Sequence, residues 1–294
     1  VSSLFGLRTD VQFGRLKLQT VVSQKKSATK SVSSKGGGST NTFEFSATNY
    51  EENRHFYLSH YFRQQYDKSM KTLPTIASGV TITRVEVWVT NKTSNAANNR
   101  NIIALADLAE SSVIGNRDLW AAGTVGVPSN KSNTEYQTMA GTLADARDIS
   151  QATNLLDSYG MVGGEDYEKL QSARLLSSSE YFVNTSLGYI SLNTNLQTDD
   201  VLGIAYEYTY GGVTYQVGEF SADMTDNSKA LFVKLLKASS GSPQLPTWRL
   251  MMKNVYSLGA TTVSKEKFKL DIKYQSDSSG VYITYLPEQR LKTT

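Results

Sequence analysis

Cysteine is absent from this 294-residue chain. That excludes disulfides, thiolate metal sites and a cysteine nucleophile, and leaves hydrophobic packing to hold the fold. Histidine is nearly absent too: His55 and His60 are five apart, so on a helix they do not share a face as an i,i+4 zinc pair would. Set among Phe56, Tyr57, Tyr61 and Phe62, they read as core or helix-surface residues. No apolar run approaches 18 residues, which excludes a transmembrane helix. Charged residues make up only 19%, so Ser, Thr, Asn and Gln carry the polarity. With 17 Tyr, that balance suits a β-rich secreted or surface protein better than a charged cytosolic enzyme.

Fingerprints of chemistry are missing as well. There is no G-x-S-x-G, no P-loop, no dinucleotide-binding glycine motif and no D-x-D-x-D calcium loop. Ser23-x-x-Lys26 and Ser27-x-x-Lys30 match a Ser-Lys dyad spacing, but a Ser/Lys-rich tract produces that by chance. The acidic pairs Glu51-Glu52, Glu165-Asp166 and Asp199-Asp200 read as solvated turns. No catalytic, cofactor-binding or metal-ligating residue is assigned, no cofactor is expected, and the chain reads as a non-enzyme.

The net charge of +3 conceals a split. Residues 1–42 carry seven Lys/Arg and one Asp, or +6, and the remainder is −3. No basic patch interleaved with aromatics runs through a folded region, so nucleic acid is not an expected partner.

What is present begins with the first 24 residues, which read as a β-hairpin built for a bilayer. Phe5, Leu7, Val11 and Phe13 recur with period two, then Leu16, Leu18 and Val22. Arg8, Asp10, Gln12, Lys17, Gln19 and Ser23 occupy the other row. Gly14-Arg15 gives a two-residue turn, Gly supplying the positive φ. Each arm has roughly ten residues, the length a tilted strand needs to span. The first row is the candidate lipid-facing set and the second the candidate lumen-facing set. Two strands leave both edges open, which lipid does not tolerate, so the chain reads as a fragment of a larger barrel. Residues 25–42, rich in Ser, Lys and Gly, read as a flexible loop. Short turns are periplasmic and long loops extracellular in such barrels. The hairpin orientation therefore puts everything after about residue 24 outside the cell.

Residues 43–294 read as a mainly β domain, a β-sandwich or jelly roll with short helical insertions. Strands are expected at 43–45, 80–90, 102–108 as partner of 80–90, 181–192, 201–210, 213–220, 231–236, 248–256, 267–274 and 281–285. Gly211-Gly212 marks a hairpin. Helices are expected over 53–70, 143–156 and 166–176. In 80–90, Val80, Ile82, Arg84, Glu86 and Trp88 share one face and Thr81, Thr83, Val85, Val87 and Val89 the other. A surface carbohydrate-binding or adhesin module is the rival reading, with Trp88, Trp120 and Trp248 stacking on sugar rings.

Several segments carry a resemblance. Arg54-His55-Phe56-Tyr57-Leu58-Ser59-His60-Tyr61-Phe62, Thr83-Arg84-Val85-Glu86-Val87-Trp88-Val89-Thr90-Asn91, Arg100-Asn101-Ile102, Met252-Lys253-Asn254-Val255-Tyr256-Ser257-Leu258-Gly259 and Tyr285-Leu286-Pro287-Glu288 occur in order along the chain. Together they resemble the SprA/Sov family, the outer-membrane translocon of type 9 secretion and gliding motility in Bacteroidetes. The resemblance implies an exceptionally large β-barrel whose cell-surface side is capped by folded insertions. It also implies folded cargo proteins leaving by a lateral opening to a PorV-type shuttle protein, and a periplasmic plug protein. This chain would supply one barrel hairpin and a cap domain, its nearest partner being the remainder of the same barrel protein.

Overall fold

The computed structural model describes residues 4–13, 16–25, 42–93, 98–259, 266, 268–275 and 280–284. The first two strands, β1 (Leu4–Phe13) and β2 (Leu16–Lys25), form an antiparallel pair whose register joins Phe13 to Leu16 and Leu4 to Lys25. The loop expected over 25–42 lies almost wholly outside the described residues. Chain contacts divide the protein into Val1–Tyr256 and Ser257–Thr294.

Mainly β structure is found, as expected, but its strands close on themselves. β4 (Val80–Val89), β5 (Asn99–Leu105), β6 (Tyr167–Leu175), β9 (Leu202–Tyr210) and β11 (Leu231–Lys237) pair in the cycle β4-β9-β11-β5-β6 and back to β4. The result is a five-strand closed barrel instead of two facing sheets. β10 (Val213–Val217) extends it from β9 through the Gly211-Gly212 hairpin, joined in register at Tyr210 and Val213. A second sheet of three strands is β3 (His55–Tyr57), β8 (Tyr189–Leu192) and β7 (Tyr181–Asn184). Among the described residues, three α-helices accompany them: α1 (His60–Ser69), α2 (Glu135–Ala140) and α3 (Ala152–Tyr159).

Alternation along the barrel strands feeds two cores. Trp88, Ile102, Ala104, Leu170, Ala205, Val233 and Leu235 fill the barrel, and Val87, Ile103, Leu105, Ile204, Tyr206, Phe232 and Leu236 pack outside it. The interior is narrow. A Cβ on Gly203 would lie 2.9 Å from Val233 and 3.3 Å from Ile102. β11 is buried on both faces, which is why Leu231–Lys237 reads as an almost unbroken apolar run.

Several expected elements move, each for a visible reason. In β4 a bulge between Ile82 and Arg84 inserts an extra residue and shifts the phase. Val80 and Ile82 therefore share the outer core with Val85, Val87 and Val89, while Trp88 points into the barrel. Residues 166–176 are strand β6, not a helix. A bulge with Ser172 at φ 56° sets Leu170 and Ala173 on one face, a three-residue spacing that imitates a helix. β5 pairs with β6 and β11, not with β4. The helix expected from residue 53 starts only at His60, because β3 pairs with β8 and Ser59 is extended. Residues 143–156 divide into a 3-10 turn (144–147) and α3. Pro246 opens a 3-10 turn over Pro246–Arg249, so 248–256 joins β3 through a lone Phe56–Met251 bridge. Phe43–Phe45 forms no strand.

The β7–β8 turn carries a sharp packing demand. Gly188 has φ +65°, and a Cβ there would fall 2.3 Å from the Phe62 ring on α1. Gly188→Ala is expected to cost about 1–3 kcal/mol through overpacking, on top of the strained φ. A melting temperature lowered by several degrees would show it, and an unchanged one would contradict this packing.

In Ser257–Thr294, the described residues contain one short antiparallel ladder, β12 (Tyr274–Gln275) with β13 (Tyr282–Ile283). The longer strands expected at 267–274 and 281–285 are thus only partly formed.

Candidate functional site

Three places can carry function: the N-terminal hairpin, a buried ionic centre and a surface cleft.

The hairpin register keeps the two predicted rows intact. Leu7 stands opposite Val22, Val11 opposite Leu18 and Phe13 opposite Leu16, so the candidate lipid-facing positions fall on matching rungs. Asp10 stands opposite Gln19 and Gln12 opposite Lys17. Arg8 and Ser23 fall in the same row, opposite Val21 and Gly6, and Phe5 is opposite Gln24 in the other. A register slip of one residue would have scrambled both rows.

The ionic centre assembles from distant segments. Glu110 follows β5 and lies 3.0 Å from Lys234 Nζ on β11. Both groups are buried. His60, the first residue of α1, donates its backbone N–H to Glu110 at 3.2 Å, and its Nδ1 lies 3.1 Å from Oε1. Ser59, the residue before the helix, makes no side-chain cap, so Glu110 caps α1 from 50 residues away. A carboxylate there also suits the positive end of the helix dipole. His60 Nε2 donates to the Pro246 carbonyl at 3.0 Å, and Lys234 Nζ also donates to the Ala106 carbonyl. Burial alone would raise the Glu110 pKa, but Lys234 and His60 outweigh it and hold the carboxyl below its ordinary range. Asn133 ties in α2, its side-chain amide donating to the carbonyls of Asp107 and Glu110.

Beside this centre sits Glu135, fully buried, whose carboxyl oxygens have no hydrogen-bond partner among the described residues. Burial raises its pKa well above the usual range. Asp107, Asp166 and Glu110 push the same way, against Lys234. A raised native value means stability is full below the ordinary glutamate range and is lost as pH climbs from there toward the native value. Glu135→Gln is therefore expected to gain stability relative to the parent between pH 4 and pH 8. Urea midpoints of both proteins at the two pH values check this. A constant difference would show that Glu135 does not titrate differently in the folded chain.

Both histidines are buried, as read, though on separate elements. His55 on β3 bonds Ser191 and Glu51. The acidic pairs are not plain solvated turns. Glu51 pairs with Arg54 and His55, buried Asp200 with Lys92, and Asp166 accepts from Val162 N–H. The Ser-x-x-Lys residues lie at or beyond the limit of the described side chains.

A cleft of about 190 Å³ opens between α1 and the end of the barrel, lined by Tyr61, Phe62, Lys68, Ser78, Ser186 and Tyr210. It is smaller than the 300–1,000 Å³ usual for ligand pockets, and neither the ionic centre nor a tryptophan lines it. Trp88 and Trp120 are buried and cannot stack on a sugar from solvent; half-buried Trp248 lies under Lys253 Nζ at 4.8 Å. The ionic centre is thus a fastening between α1, the 106–110 segment, α2 and β11, closed to substrate. Sequence reading missed it, although Lys234 inside an apolar strand was a usable signal.

These features define a mainly β protein: a strand hairpin with one apolar and one polar row, followed by a small closed barrel pinned by buried ions. No helix among the described residues is long and apolar enough to cross a membrane, which says nothing of a β-barrel. The family model described as motility related/secretion protein matches residues 1–201, and the chain belongs to that family. It is a motility and secretion family, not an enzyme family. No curated protein matches.

Proposed function

We propose that the chain is part of a large outer-membrane protein-conducting channel of type 9 secretion. It contributes barrel strands and a cap domain over the pore mouth, and folded cargo passes beneath to a lateral exit. The observation that carries this reading is the β1–β2 register, which keeps Leu7, Val11, Leu16, Leu18 and Val22 on one row and Asp10, Gln12, Lys17 and Gln19 on the other. One apolar and one polar row on roughly ten-residue arms is the outer-membrane barrel pattern. Family membership supports the secretion role. Buried ionic contacts among Glu110, Lys234 and His60 fasten the domain that would form the cap. The remainder of the barrel, a PorV-type shuttle protein, a periplasmic plug protein and the cargo are the expected partners.

Protease access on intact cells tests the placement, with a cleavage site introduced at Gly37. Cleavage without breaking the outer membrane supports a spanning hairpin and a surface cap. Protection until lysis would put that segment in the periplasm and overturn both the orientation and the cap.

A further inference from the structure

The cleft between α1 and the end of the barrel has walls that are fixed from within. α1 supplies Tyr61, Phe62, Gln65 and Lys68. The segment leading into β4 is tied to α1, the Ala77 N–H donating to the Ser69 carbonyl at 2.9 Å. The β7–β8 turn is shaped by Asn184, whose side-chain oxygen accepts from the Ser186 N–H at 3.2 Å and the Leu187 N–H at 2.9 Å. Phe62, Val80 and Leu187 are buried and give the cleft an apolar base. Tyr61 and Tyr210 hydrogen-bond to each other, and burial, with Tyr210 beside it, pushes Tyr61 up to about 12. Tyr61 therefore stays a phenol and can donate.

Within this frame some polar groups are left over. The Gln65 amide, the Lys68 ammonium and the Ser186 hydroxyl make no hydrogen bond or ion pair with another described residue. Gln65 and Lys68 stand i,i+3 on α1, so they share a face. Lys68 is the one cation among the lining residues, and no carboxylate lines the cleft to answer it. An ammonium is a point charge that carboxylates satisfy with short, charge-assisted bonds.

The remaining lining selects among carboxylates. The N–H groups of Ala77, Val80, Ser186 and Leu187 are already used inside the walls. An extended peptide, which is held by main-chain bonds, finds none of them free. What the cleft offers instead is side-chain hydroxyl, amide and ammonium groups around an apolar base. A sugar ring has the complementary form, hydroxyls at its edge and C–H groups on its face. The volume of about 190 Å³ suits one ring and is below that of a pocket for a larger ligand.

We propose that this cleft binds an acidic sugar residue, its carboxylate on Lys68, its hydroxyls on Gln65, Ser186 and the Tyr61–Tyr210 pair, and its ring over Phe62, Val80 and Leu187. The site is separate from the tryptophan-based sugar reading, which the burial of Trp88 and Trp120 excludes. It stands whether or not the chain belongs to a channel.

Saturation-transfer NMR on the full 294-residue chain tests it, with glucuronate, glucose and acetate as probes. Glucuronate should saturate with a Kd on the order of 1 mM, as expected for so small a ligand. Glucose should bind roughly tenfold more weakly or worse, having lost one bond to a charged group, and acetate should not bind measurably. Lys68 is exposed, so Lys68→Gln should fold as the parent does, which a melting curve checks. It should erase the advantage of glucuronate over glucose, and Lys68→Arg should keep most of it. Lys131→Ala, a surface lysine outside the cleft, should change nothing. Competition by capsular polysaccharide or by lipopolysaccharide from the same cells separates two sources of acidic sugar. Either result supports the proposal, and failure of both overturns it. Acetate binding as well as glucuronate would mean a site for any carboxylate, an acidic peptide included, and would overturn it. So would the absence of saturable glucuronate binding, or glucuronate affinity unchanged by Lys68→Gln.

Discussion

Lys234→Ala should destabilise the folded domain by about 3–5 kcal/mol, the cost of breaking a buried ion pair and leaving one charge behind. Lys234 and Glu110 are both buried at 3.0 Å separation. Without the ammonium, Glu110 keeps only the ring and the backbone N–H of His60 against its burial penalty. The loss should therefore be acid-linked. Glu110 has a lowered pKa in the folded chain, so its contribution is present above the ordinary glutamate range and fades as pH falls through the native value. The parent–variant gap should be wide at pH 7 and narrow toward acid. The double variant Lys234→Met, Glu110→Gln removes both charges and should recover much of the loss, because no unpaired charge is left buried and the amide oxygen introduced at position 110 can still accept from the His60 backbone N–H. Urea unfolding followed by tryptophan fluorescence measures all three, with Trp88 inside the barrel as reporter. Equal destabilisation by the single and the double substitution would mean that packing at Lys234, not charge pairing, is what matters.

The same site marks where sequence reading succeeds and fails. Period-two patterns with turn glycines located β1, β2, β4, β9 and β10, because a strand with two unlike faces writes them into alternate residues, and a short apolar run located β11, which is buried on both faces. Bulges defeated that code. The extra residue at Ile82–Arg84 made two phases look like one continuous strand, and the bulge at Ser172 made β6 look helical. Closure into a barrel depends on pairing β4 with β9, some 120 residues apart, which no local pattern records. The ionic centre is similarly non-local: His60, Glu110, Asn133 and Lys234 come from four segments. The one local trace was a lysine within Leu231–Lys237, where an apolar strand would be unremarkable and a charged one demands a partner. Glu135 left no trace, since a glutamate opening a helix is ordinary until its burial is known.

Leu18→Arg carries the largest expected effect on assembly. Leu18 stands opposite Val11, on the third of the ten rungs counted from the turn. If that row faces lipid, an arginine there costs up to about 2–4 kcal/mol, the value at the bilayer midplane, enough to lower the assembled fraction by one to three orders of magnitude where folding is marginal. The cost should fall toward the ends, so Phe5→Arg and Phe13→Arg should be milder. Gln19→Arg is the matched control: it adds the same side chain one residue away, on the row with Asp10, where an arginine meets water and an acidic neighbour. Heat-modifiable mobility of the assembled barrel distinguishes the rows. Loss of the compact form in Leu18→Arg with its retention in Gln19→Arg assigns the rows to lipid and lumen. Equal tolerance of both would mean that water bathes the two faces alike, and the hairpin would then be a solvated edge of the folded domain.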